Sequence, residues 1–275
     1  MCQSQTSATM TRSKPEYSLS APLPSPQGRQ LLARGRYRLR LIPATAGEDL
    51  ARAQDLRALC FGLAQRDADA FDATCLHLLV EEAETGQLVS CCRLSLLRDR
   101  TALLRSYTGT RYDLSRLTLG EGPVMELGRF CIHPDWRDAD ILRLAWGALT
   151  QLVDEEGVGL LLGCSSFAGV DPGPYAHALA QLSLRHQPPG GQVVSPQTAE
   201  RRMLRDLDLP PTPDPKLAAL QMPALLRTYL MMGGWVGDHL VVDRALNTQH
   251  IFTAVDIAAI PDNRKRLLRA VSATG

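Results

Sequence analysis

Hydrophobic and polar positions alternate in short runs along the chain, interrupted by stretches of helical spacing. Tyr37, Leu39 and Leu41 alternate with polar residues and predict a strand over residues 37–42. Leu50, Ala53, Leu56 and Cys60 recur at helical intervals and predict a helix over 46–63. Apolar runs at 76–82 and 88–97 flank Glu84-Thr85-Gly86-Gln87, a hairpin pattern. A short helix is expected at 113–117 and a strand at 124–132. After a turn at 134–137, Asp138 is placed to cap a helix running to about residue 156, with Ile141, Ala145, Ala148, Leu149 and Leu152 on its apolar face. A buried strand at 159–163 and a helix opened by Asp171-Pro172-Gly173-Pro174 follow. Residues 187–215, dense in Pro and Gly, read as a long loop. A helix at 223–232 and strands at 239–243 and 251–255 close the pattern. Intermixed helices and strands, with hairpins early and a strand–helix–strand unit later, predict a mixed α/β sheet with helices on both faces.

Composition adds boundaries. The 275 residues are 45% hydrophobic and 21% charged, an ordinary globular balance of one large domain or two modest ones. No apolar run reaches the roughly 18 residues of a membrane span, and the N-terminus lacks the apolar core of a secretory signal. Seven cysteines without Cys-x-x-Cys spacing fit buried thiols in a reducing, cytoplasmic setting. A net charge of +1 gives no global field for nucleic acid, yet its distribution is uneven. Residues 1–40 hold seven basic side chains against one acid, Glu16. Residues 1–35, rich in Ser, Thr, Pro and Gln near their start, are read as a disordered basic extension, and 36–270 as a single domain. Arg34, Arg36, Arg38 and Arg40 share one face if strand geometry holds. That face is either solvated or a patch for an anionic membrane surface or an acidic protein.

Charges inside apolar strands are the chemical signal. Arg93 interrupts 89–97, and Glu126 and Arg129 interrupt 124–132. A charge in a buried strand costs several kcal/mol unless it is paired, so these residues either pair with one another or serve a site. Simple alternation points Glu126 and Gly128 one way and Arg129 the other, unless a bulge near Gly128 intervenes. The loop Asp67-Ala68-Asp69-Ala70-Phe71-Asp72 offers three carboxylates, either capping and solvated or aimed at an ammonium group. It lacks the glycine and the closing glutamate of a calcium loop. Cys75/His77 and Cys131/His133 are both Cys-x-His pairs that could suggest a metal site, but Cys75-Leu76-His77 sits across strand alternation from nothing identifiable. Gly163-Cys164-Ser165-Ser166-Phe167 lacks a nucleophile elbow.

The run Met125-Glu126-Leu127-Gly128-Arg129-Phe130-Cys131-Ile132-His133-Pro134-Asp135-Trp136-Arg137 resembles the signature of bacterial L-ornithine N-alpha-acyltransferases. The likeness extends through Leu56 to Phe61, Phe71 to Val80, Arg93-Leu94, Gly163 to Phe167, Pro223 to Leu230 and Asp243 to Asn247, about residues 36–260 in all. Acyl-homoserine-lactone synthases are similar in the Arg57, Asp69/Asp72, Arg93 and Glu126-x-x-Arg129 pattern but lack the long C-terminal half. Both families resemble the GNAT acyltransferase fold, which implies a mostly antiparallel mixed sheet flanked by helices, here with a C-terminal elaboration.

The resemblance implies transfer of a (3-hydroxy)fatty acyl chain from acyl carrier protein to the α-amine of L-ornithine, giving lyso-ornithine lipid. No cofactor would be bound; the 4′-phosphopantetheine of the carrier would present the thioester. Glu126 is expected to act as base and Arg129 to orient it or to bind a carboxylate. Asp69 and Asp72 would meet an ammonium. Arg57 and Arg93 would hold the substrate carboxylate or tie the loop to the sheet. Arg137 would meet the donor phosphate, because Arg137-Asp138-Ala139-Asp140-Ile141 lacks the glycine-rich turn that cradles a pyrophosphate. Leu225, Leu226, Tyr229, Leu230 and Met231 would line an acyl pocket or simply pack a core. The amphipathic product implies work at the inner face of the cytoplasmic membrane. Two other readings share the fold, a homoserine-lactone synthase and a non-catalytic membrane-surface protein.

Overall fold

The computed structural model describes residues 28–272. Nine strands form one sheet in the order β1-β2-β3-β4-β6-β7-β11-β10-β9. They are β1 (Arg29–Arg34), β2 (Tyr37–Pro43), β3 (Leu76–Glu82), β4 (Leu88–Leu97), β6 (Val124–Ile132), β7 (Leu160–Ala168), β9 (Arg201–Met203), β10 (Trp235–Asp243) and β11 (Thr248–Asp256). Two short strands, β5 (Tyr112–Asp113) and β8 (Ser195–Pro196), pair separately. All neighbours in the main sheet are antiparallel except β6 and β7. The expected mixed, mostly antiparallel sheet is therefore what the chain forms.

The helices are α1 (Gly47–Phe61), α2 (Arg100–Arg105), α3 (Tyr107–Arg111), α4 (Ala139–Glu156), α5 (Ala176–Arg185), α6 (Pro215–Gln221), α7 (Ala224–Met231) and α8 (Asp262–Ser272). Asp138 caps α4 as expected, accepting the Asp140 amide at 2.9 Å, and Gly157 ends the helix in the left-handed region at φ 61°. The apolar stripe of α4 joins β2, β3, β4, β6 and β7 with α5 and α7 in the largest core cluster. On the opposite face α1 covers β3, β4 and β6, and the α2–α3 segment sits over a second cluster that includes Leu97, Tyr112, Leu162 and Phe252. None of the described helices is long and apolar enough to cross a membrane.

Three expectations are corrected. Residues 29–34, assigned to the disordered extension of 1–35, form β1 and pair with β2, and Arg29 bonds Glu155 of α4 at 2.8 Å. Residues 1–27 of that extension lie outside the described residues. Residues 113–117 form no helix; Tyr112 and Asp113 are β5, and helix forms earlier, in α2 and α3. The 187–215 loop carries β8 and β9, and α8, unforeseen, packs Val271 against Gly147 of α4.

The alternating arginines have internal partners. Arg38 and Arg40 both bond the buried carboxylate of Glu81, as does Arg52, and Arg40 also reaches Asp49 at 2.8 Å. Arg36 stacks on Trp136 with its guanidinium carbon 4.8 Å from the ring centroid and approaches Glu82. On β2, Arg38 and Arg40 thus engage internal carboxylates, while the side chains of Arg36 and Arg38 stay 58% and 39% exposed.

At the centre, β6 and β7 pair from Val124↔Leu160 to Leu127↔Gly163 and then part. Gly163 marks the last pair, where a Cβ would lie 2.3 Å from the Leu127 carbonyl oxygen. Gly163→Ala is expected to destabilise the fold by about 1–3 kcal/mol through that overpacking. Urea unfolding checks this; an unchanged midpoint would show that the strands yield at this point.

Candidate active site

The site grows from an irregularity in β6. Cys91 faces Cys131 and Arg93 faces Gly128, so Cys92 alone opposes Arg129 and Phe130. This β-bulge places Arg129 at φ 52°, a left-handed conformation that non-glycine residues seldom adopt. The bulge reverses the alternation and brings the Arg129 side chain to the face where Glu126 already points.

There it joins a buried cluster of arginines and aspartates. Arg57, 1% exposed, donates through Nε to Asp67 at 2.9 Å and through both Nη atoms to Asp72 at 2.8 Å. Arg57 also bonds the Asp67 carbonyl. Arg93 donates to Asp69 at 2.5 Å and Asp72 at 3.1 Å. Arg129 donates to Asp67 at 2.9 Å and Asp69 at 3.3 Å. Gln54 adds a bond to Asp72 at 2.9 Å. Burial pushes the Asp72 carboxyl up, but the bonds and charge of Arg57, the Gln54 amide and the charge of Arg93 outweigh it and hold the group well below the usual range. Arg57 and Arg93 therefore link the acidic loop to α1 and the sheet, one of their two expected roles. Asp72, buried and saturated by arginine, presents no open oxygen to an ammonium.

Glu126 sits beside this cluster without touching Arg129. Its carboxylate accepts the Thr108 amide at 2.6 Å and the Tyr107 amide at 3.3 Å, at the start of α3. Tyr107 connects the two halves, since the Arg129 guanidinium lies 4.9 Å from its ring centroid. Arg137 is not brought in; it is exposed in the turn between β6 and α4.

Beyond Leu127 and Gly163 the parting strands open a cleft of about 380 Å³. One wall is Gly128 to Ile132, the other Cys164 to Ser166 with Thr248 and His250 of β11, and Leu142 and Pro223 to Leu226 form an apolar side. Of the five residues expected to line an acyl pocket, Leu225 and Leu226 border this cleft. Tyr229 is buried in the core against Trp146, and Leu230 and Met231 border a different groove. A second, more polar cavity of about 440 Å³ is lined by Arg66, Asp67, Arg111, Arg129, Asp243 and Leu246. Arg129, Asp243 and Leu246 line both, so the apolar and polar spaces adjoin. Tyr107, Asp243, Thr248 and His250 were not read as site residues. Asp243 stood within a matching motif, whereas His250 occupies an otherwise ordinary strand pattern.

A GNAT acetyltransferase domain model matches residues 57–147, which include the end of α1 from Arg57, the acidic loop, β6 and the first half of α4. The L-ornithine N(alpha)-acyltransferase of Rhodobacter capsulatus is 32% identical over 205 residues, covering 72% of this chain and 78% of that protein. That of Brucella abortus is 32% identical over 205 residues, covering 71% and 72%. Among solved structures, the loading GNAT-like domain of CurA from Lyngbya majuscula superposes with a TM-score of 0.48 at 15% identity, over 82% of this chain and 99% of that one.

Removing one member of the arginine–aspartate cluster strands the others. Asp72→Asn is expected to cost about 3–5 kcal/mol at neutral pH, the scale for a broken buried pair. The sign with pH follows from carboxyls held below their unfolded values. Glu81, raised by burial but lowered more by Arg40, Arg52 and Arg38, falls from 4.5 to about 2, and Asp72 shifts the same way. Their contribution is complete above the unfolded values and lost as pH falls toward the folded ones. Urea unfolding between pH 7 and 2.5 should show a steep acid loss, with the wild-type advantage over Asp72→Asn shrinking below roughly pH 4. A pH-independent difference would contradict this.

Proposed function

The chain belongs to the L-ornithine N(alpha)-acyltransferase family, and on that premise we propose that it acylates the α-amine of ornithine with a fatty chain carried as a thioester on acyl carrier protein. The observation that carries the reading is the paired cleft, an apolar limb and a polar one adjoining at Arg129 beside the open edge of β6. The apolar limb suits the acyl chain, entering between Leu142 and the start of α7. The polar limb suits a small zwitterion with a second amine. Its Arg129 guanidinium is matched to the substrate carboxylate; Asp67 and Asp243 are the carboxylates on its wall, and the neighbouring Asp69, a quarter exposed, is the cluster acid most open to an ammonium.

In the reaction, the amine attacks the thioester carbonyl and the pantetheine thiol leaves. The α-ammonium must first lose a proton. Glu126 is assigned this role through one water, because its carboxylate lies behind Tyr107 and Thr108 and outside the cleft wall. Backbone amides near Phe130–Ile132, on the edge that β7 has left, are assigned to the carbonyl oxygen as negative charge builds there.

A carrier-protein donor fits the start of α4 better than coenzyme A does. Asp138 accepts the Asp140 amide and the Tyr37 hydroxyl, at 2.9 and 2.7 Å, so a carboxylate already occupies the helix N-terminus. Two acids there repel a pyrophosphate, while exposed Arg137 suffices for one phosphodiester. The product pairs a fatty chain with a zwitterion, which places its release at the cytoplasmic membrane surface.

The test is direct. Purified protein with 3-hydroxyacyl-acyl carrier protein and ornithine should yield N-acylornithine by mass spectrometry, and S-adenosylmethionine in place of ornithine should yield no lactone. Glu126→Gln, which keeps an acceptor oxygen for the Thr108 amide, should lower kcat about 10²–10⁴-fold with the thermal midpoint retained. Normal turnover would remove Glu126 from the chemistry.

A further inference from the structure

The cleft contains a buried imidazole that the reaction as described so far leaves idle. His250 lies on β11, 2% exposed, and is one of the residues that line the cleft. Its Nδ1 is 3.0 Å from the Tyr112 hydroxyl, and that hydroxyl donates to the His250 carbonyl oxygen at 3.1 Å. The tautomer that satisfies both contacts at once carries the ring proton on Nδ1, with the phenol accepting from it and donating to the carbonyl. Nε2 then has a free lone pair, and it is buried with no partner in the protein. Thr248, two residues earlier on the same face of the strand, likewise leaves its Oγ1 buried and unpartnered in the cleft wall. A buried polar atom without a partner costs stability unless a ligand supplies the partner.

We propose that His250 is a second proton carrier of the acyl transfer, taking the proton that the attacking nitrogen must shed after bond formation and delivering it to the departing sulfur. This rests on the acyl-transfer reading above. The proton count requires such a group. The ammonium loses its first proton before attack, and that proton leaves through Glu126 to solvent. As the N–C bond forms, the carbonyl π pair moves to oxygen and the nitrogen becomes cationic. His250 Nε2 accepts its second proton. The oxygen pair returns, the C–S bond breaks, and the imidazolium gives that proton to the sulfur. Amide and thiol result, with the imidazole restored. Burial lowers the His250 pKa to about 4; Asp243 opposes the shift and Arg111, Arg129 and His239 reinforce it, so the ring is neutral before the reaction. Tyr112, wholly buried among His239, His250 and Phe252, acts as a positioning residue that fixes the tautomer.

Two donors separate this role from a structural one. With an acyl pantetheine thioester, His250→Gln should lower kcat by about 10²-fold or more while KM for the amine changes little. With an aryl thioester, whose thiolate departs without a proton, the loss should shrink to under about tenfold on the same Brønsted reasoning. A loss under about threefold, or an equal loss with both donors, overturns the proposal. Nitrogen-15 NMR of the wild-type imidazole provides a reading independent of how the variant folds. The proton is expected on Nδ1, and a neutral ring protonated at Nε2 refutes the assignment. If the wild type acylates an amine other than ornithine, the ornithine reading fails and the two donors are compared on that amine by the same criteria. If it acylates no amine, both fall together.

Discussion

The structure depends on a neutralisation in a place water scarcely reaches. Arg57, Arg93 and Arg129 come from a helix and two strands, and Asp67, Asp69 and Asp72 from one loop. Any of these charges alone would cost several kcal/mol in the interior. Together they satisfy one another through short charge-assisted bonds, with Asp72 shared by Arg57 and Arg93 and Asp67 shared by Arg57 and Arg129. The loop is thereby fastened to α1 and to the sheet, and the strained left-handed turn at Arg129 is held by two carboxylates.

The bulge that supplies Arg129 also shapes the cleft. Gly128 and Arg129 lie just past the last β6–β7 pair, so the distortion toward β4 coincides with the parting from β7. One local irregularity turns an arginine toward the acids and adjoins the open edge of β6. The walls of the resulting space differ in chemistry because they come from different elements: apolar side chains from α4 and α7, polar ones from the acidic loop and the β10–β11 hairpin.

Electrostatics elsewhere follow the same economy. The arginines of β2 converge with Arg52 on Glu81, a carboxylate of the adjoining strand that is almost wholly buried. Charge counted along the chain suggested a basic arm facing outward. Register gives the β2 part of that arm an internal partner as well, since Arg38 and Glu81 are directly paired residues of β2 and β3.

The sequence by itself determined the fold class, the limits of α4 through Asp138 and the break after Glu156, and the strands around Glu126, because periodicity and capping are local properties. It also exposed the anomalous charges, since Arg93, Glu126 and Arg129 are conspicuous in apolar runs. Their partners were decided only in three dimensions. Which acid meets which arginine depends on where a loop 60 residues away folds back, and Glu126 binds amides of a short helix that periodicity did not foresee. β1 and α8 escaped notice because their residues read as ordinary polar segments whose order comes from packing on β2 and α4. His250 escaped for a related reason: a histidine in a strand acquires meaning only when its neighbours leave one ring nitrogen unpaired at the wall of a cleft.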